Sequence, residues 1–75
     1  MAKLPVLSGH ELIKILKKIG FEPVRQKGSH IVLVNNSAGP KRAVVVPNHK
    51  EIDQGTLLEI IRQAGLKRND FEKLI

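Results

Sequence analysis

Leu12, Ile15, Leu16 and Ile19 recur at helical spacing, while Lys14, Lys17 and Lys18 fall on the opposite side. Ser8 followed by Glu11 is a capping box, in which hydroxyl and carboxylate satisfy free amides at a helix start. Leu7 and Leu12 occupy the hydrophobic-staple positions around that cap. Gly20 can adopt the left-handed conformation that ends a helix, and Phe21 can fold back on it. A first helix is therefore predicted over residues 8–19. The period then shortens. Glu22 to Lys27 and His30 to Val34 are two strand-prone runs around a Gly28-Ser29 turn, which reads as a hairpin. Pro23 suits a strand start or a sheet edge. Residues 35–40 form a loop, and Lys41 to Val46 a third strand that Pro47 stops. Asp53 caps a second helix carrying Leu57, Leu58, Ile60 and Ile61, which Gly65 ends. Arg68 to Leu74 can form a short third helix docked through Phe71 and Leu74.

The predicted order is α-β-β-β-α with an added C-terminal helix: an α+β domain whose three-stranded antiparallel sheet is covered by helices. Strand two is apolar on both faces, Ile31 and Leu33 on one and Val32 and Val34 on the other. Either it is a central strand buried on both sides, or its helix-free face docks a partner.

Length makes this one domain, residues 1–75, with a modest core. Without cysteine there is no disulfide or thiolate–metal support, which suits a reducing compartment. The apolar run at the N-terminus is too short for a signal peptide, and no stretch reaches the roughly 20 apolar residues of a membrane span. A cytoplasmic location is expected. A formal charge of +6 on so short a chain favours a polyanionic partner, nucleic acid or an acidic protein.

Signatures of nucleotide-binding loops are missing. The three histidines are far apart along the chain, with no H-x-x-x-H pair and no cysteine to complete a zinc site. The acids are scattered over predicted caps and solvated helix faces, which gives a two-metal nuclease centre little support. No metal or cofactor is expected. What remains is metal-free proton transfer. Imidazole can take and return a proton near neutral pH. RNA carries its own nucleophile, the 2′-hydroxyl, so one imidazole and a few cations could suffice. His30, preceded by Arg25 and Lys27, has these ingredients, and Arg42 and Lys50 could add phosphate contacts. The structural alternatives are a plain strand-edge histidine at position 30, a helix-capping His49 and a solvated His10 in the first helical turn.

Several blocks together resemble the HicA toxin family, also called YcfA-like. They are Ser8-Gly9-x-Glu11-Leu12, Gly20-Phe21, Arg25-Gln26-Lys27-Gly28-Ser29-His30, Val46-Pro47-Asn48-His49, and Gly55-Thr56-Leu57 through Ile61-Arg62-Gln63-Ala64-Gly65-Leu66. The likeness runs over nearly the whole chain. It implies a double-stranded-RNA-binding-domain-like fold and a ribosome-independent mRNA interferase, neutralised by a HicB-type antitoxin; with the metal-free chemistry read above, that is a metal-independent endoribonuclease. The toxin would be a monomer alone or part of an oligomer with that antitoxin. The family's catalytic histidine lies in Gly-Ser-His, here His30, with His49 and Ser29 as possible support. RNA binding would fall to Arg25, Lys27, Gly28, Arg42 and Lys50. Where family members often carry an aromatic or basic residue after Gly-Ser-His, this chain has Ile31-Val32-Leu33-Val34. Base stacking, worth about 1–3 kcal/mol per base, is thus poorly provided for, and recognition through phosphate and sugar is expected. The alternatives are a non-catalytic RNA-binding module on the same fold and a partner for an acidic protein.

Overall fold

A computed structural model of the chain describes residues 4–37 and 40–75. The expectations for the first three residues and for the middle of the 35–40 loop lie outside the described residues. Helix α1 (Gly9–Lys17) starts at the expected cap. The Glu11 N–H donates to Ser8 Oγ at 3.1 Å, and the Ser8 N–H donates to the Glu11 carboxylate at 2.9 Å. Lys18 to Gly20 form a turn, so the helix is shorter than the predicted 8–19. It closes through Phe21 N–H to Leu16 O at 3.1 Å and Gly20 N–H to Lys17 O at 3.1 Å. These are the paired bonds of a Schellman ending, and Gly20 supplies the positive φ of 102° that it needs. Ile13 joins Leu12, Ile15 and Leu16 in the core. A helix covering a sheet buries a stripe wider than the narrow row read from the sequence.

Strands β1 (Glu22–Lys27), β2 (His30–Asn35) and β3 (Arg42–Pro47) form an antiparallel sheet in the order β1-β2-β3. A register shift between Pro23 and Arg25 bulges β1 at Val24. With its proline, bulge and exposed cations, β1 is an edge guarded against pairing with another chain. Pro47 does not stop the third strand ahead of itself, as expected. It is the last strand residue, paired with His30. A proline fits there because β3 is an edge strand.

Helix α2 (Gln54–Gln63) is capped by Asp53, whose carboxylate accepts the Thr56 N–H at 3.1 Å. It closes with the same paired bonds, Leu66 N–H to Ile61 O at 3.1 Å and Gly65 N–H to Arg62 O at 3.0 Å. Leu57, Ile60 and Ile61 face inward, whereas Leu58, expected on the apolar side, is 43% exposed. Leu57 and Ile61 already form the i, i+4 core row, and Leu58 lies beside it towards solvent. A short α3 (Arg68–Glu72) buries Phe71 completely, and Leu74 packs against the core.

Ile31, Leu33, Val44 and Val46 share one buried cluster with the apolar residues of all three helices. Val32 and Val34 on the opposite face are only half-buried, and Val45 is 44% exposed. The apolar character of β2 on both sides is thereby resolved. One face is core, and the other is left open by the described residues. This is the expected α+β arrangement with an open three-stranded sheet. No helix among the described residues is long and apolar enough to cross a membrane.

Candidate functional site

The β1–β2 hairpin turns on Gly28 and Ser29. Gly28 has φ of 61°, and no non-glycine residue described has positive φ. That is the pattern of a two-residue type II′ turn, with glycine first. The Gln26 side-chain amide donates to Gly28 O at 3.1 Å and steadies the turn. A side chain at Gly28 would meet nothing within 4 Å, so the outer surface of the turn is open to an approaching ligand. His30 follows as the first residue of β2 and is exposed.

Two backbone bonds gather other segments around this turn. Asn48 N–H donates to Ser29 O at 2.6 Å, and Gly9 N–H donates to His49 O at 2.9 Å. The end of β3 is therefore held against the hairpin turn on one side and the start of α1 on the other. Gly9 is the residue that permits the second approach. A Cβ there would lie 2.5 Å from Pro47 O and 2.9 Å from Asn48 Cα. His10, His30 and His49, far apart in sequence, thus stand on three adjoining segments at one end of the molecule. All three are exposed, and no hydrogen bond or ion pair holds their side chains among the described residues. Sequence reading missed the neighbourhood of His10. The signal was the glycine at the first helical position, where any side chain is tolerated unless another backbone comes close.

Cross-strand partners share a face of the sheet. Lys27 pairs with His30 and Arg25 with Val32, so both cations belong to the same open face as His30. Lys50 follows His49 and is exposed. The ion pairs among the described residues are Glu59–Arg62 and Arg68–Glu72, and neither involves Arg25, Lys27 or Lys50. Two acids, Glu11 and Asp53, are engaged in helix caps. Bonds from the backbone and then the side chain of Ser8 hold the Glu11 carboxyl below its ordinary range. The hydroxyl and then the N–H of Thr56 do the same for Asp53.

Arg42 is not brought to this cluster. It pairs with Asn35, at the end of the sheet opposite the His30–Pro47 pair. At about 3.3 Å per residue the two ends are roughly 17 Å apart. Its guanidinium instead lies over Gly65, where Cζ would be 2.6 Å from an added Cβ, at the C-terminal end of α2. A cation there meets the unsatisfied carbonyls and the negative end of the helix dipole.

No group of three His, Cys, Asp or Glu residues is placed to hold a metal ion among the described residues. The histidine end is an open surface. A groove of about 370 Å³ lies elsewhere, lined by Leu7, Glu11, Lys14, Ile15, Lys18, Leu74 and Ile75. It includes none of the histidines, and an extended polymer does not need such a groove.

No curated protein matches the chain. A family model described as "HicA toxin of bacterial toxin-antitoxin" matches residues 9–66, which take in the hairpin turn, all three histidines and both principal helices. By that match the chain belongs to the HicA toxin family, toxins of bacterial toxin–antitoxin systems.

Proposed function

We propose that the chain is a metal-independent endoribonuclease that cleaves single-stranded mRNA in the cytoplasm, with His30 as its proton-transfer group and a HicB-type protein as its antitoxin. The observation that carries this is the setting of His30. It stands on an open sheet face, opposite Lys27, beside a glycine turn with free space around it.

In the proposed reaction His30 removes the proton from a 2′-hydroxyl as that oxygen attacks the adjacent phosphorus. The bond to the 5′-oxygen breaks, and that oxygen needs a proton to leave. His49 lies two residues beyond Pro47, the pairing partner of His30, and is the group proposed to supply it. Lys27, Arg25 and Lys50 would offset the charge that develops on the phosphorane, where preorganised cations lower a barrier most. Ser29 supports the site through its carbonyl, which the Asn48 N–H holds. Gly28 leaves room for the RNA backbone. The products are a 2′,3′-cyclic phosphate and a 5′-hydroxyl.

The test is cleavage of an end-labelled single-stranded RNA by purified protein in excess chelator. Cyclic phosphate and 5′-hydroxyl ends are expected. Activity that requires added Mg²⁺ or Mn²⁺, or ends bearing a 5′-phosphate, would contradict the mechanism. RNA that is bound but not cut would mark a non-catalytic binding module.

A further inference from the structure

The chemistry above leaves His10 unused, yet the fold carries it to the same end of the molecule. Gly9, immediately before it, is fixed by its bond to His49 O and by its fit against Pro47 and Asn48. Helix α1 turns Gly9, Leu12 and Ile13 inward and leaves His10 and Glu11 exposed. Glu11, the next residue, points to a different side of the helix, and its carboxylate accepts the Ser8 N–H. His10 therefore has an anchored backbone and a side chain with no partner among the described residues.

The register also gives a direction. Lys27, His30 and Pro47 form one row across the three strands, each about 4.8 Å from the next. A strand of RNA whose scissile phosphate sits at His30, and which follows this row, passes Lys27 on the β1 side. On the β3 side it leaves the sheet where His49, Lys50 and the start of α1 meet.

We propose that His10 is a substrate-binding residue, which contacts an RNA phosphate next to the scissile one on the β3 side of His30. It rests on the proposal that this end of the molecule cleaves RNA. His10 takes no part in the bond-breaking step. It supplies an N–H donor to a phosphate oxygen, and its effect falls on binding.

The experiment compares binding of a short single-stranded RNA by His30→Ala, which would hold the RNA uncut, with His30→Ala/His10→Ala and His30→Ala/His10→Arg. Cleavage by the parent and by His10→Ala is measured in parallel. Removing His10 should weaken RNA affinity by about two- to fivefold, the range of a single exposed polar contact. It should raise KM by the same factor and leave kcat within about twofold. His10→Arg should restore the affinity, because a guanidinium also donates to phosphate. An unchanged affinity and KM in His10→Ala would overturn the proposal. So would an Arg variant as weak as the Ala variant, which would make the effect structural. A parent protein that neither binds nor cleaves RNA would instead remove the cleavage reading beneath it.

Discussion

The Gly9 N–H donates to the His49 carbonyl at 2.9 Å, and a Cβ on Gly9 would lie 2.5 Å from Pro47 O. The start of α1 and the end of β3 are thereby locked together next to the hairpin turn that bears His30. Gly9→Ala must push these backbones apart, and neither is a flexible side chain that could swing away. A loss of about 1–3 kcal/mol is expected in denaturant unfolding, the usual cost of overpacking. RNA cleavage should fall as well, because the histidine segments move relative to one another. Gly28→Ala serves as the contrast, since it has free space and only an unfavourable φ to overcome. Its cost should be near 1 kcal/mol.

The C-terminal helix is part of the core. Phe71 is fully buried, whereas Leu58 on α2 is 43% exposed. Phe71→Ala should cost about 3–5 kcal/mol by denaturant titration. Most of the stability of so small a domain would be gone. Leu58→Ala should stay within about 0.5 kcal/mol of the parent, as surface substitutions do.

Acid should loosen both helix starts. Glu11 and Asp53 are held below their ordinary ranges by the cap bonds from Ser8 and Thr56. A carboxylate whose folded value is depressed contributes stability that is fully present above its unfolded value and lost as pH falls through the folded one. The unfolded values are about 4.3 for Glu and 3.9 for Asp, so these contributions should decline below about pH 4. Glu11→Gln and Asp53→Asn keep capping-competent side chains but cannot ionise. Each should flatten the acid limb of a stability–pH curve. A limb that stays equally steep in both variants would place the acid-sensitive groups elsewhere.

Cations near the hairpin turn should differ from Arg42 at the far end of the sheet. Arg25→Ala, Lys27→Ala and Lys50→Ala should each weaken RNA binding and reduce the log–log salt slope by about 0.7 for a single strand. Arg42→Ala should leave the slope alone and lower the melting temperature, because its guanidinium lies over Gly65 at the end of α2. A changed slope for Arg42→Ala, with none for the other three, would move the RNA surface to the opposite end of the sheet.

Local signals carried most of the fold. The capping box at Ser8 and Glu11, the glycines at 20 and 65 and the Gly28-Ser29 turn all act within a few residues, and each formed where the sequence placed it. Pro47 was misplaced because its fit as the last residue of an edge strand depends on which strand lies beside it. Leu58 was misplaced because inward and outward positions on α2 depend on where the sheet sits. In the candidate site, His30 and its Lys27 neighbour were legible because hairpin pairing is local. The approach of Gly9 to His49 joins residues 40 apart, and no periodicity announces such a contact. Arg42 was grouped with the site by charge alone, a property that says nothing about which end of a strand it occupies.

His30 bears most directly on the central claim. His30→Ala should remain folded, with near-parent circular dichroism and melting temperature, because the side chain is exposed and without a partner among the described residues. It should keep its affinity for RNA, which is proposed to rest on Arg25, Lys27, Lys50 and His10. Single-turnover cleavage should fall by at least about 10²–10⁴-fold, the contribution of general acid–base catalysis, and growth inhibition on expression should disappear. A folded His30→Ala protein that cleaves RNA at the parent rate would contradict the assignment.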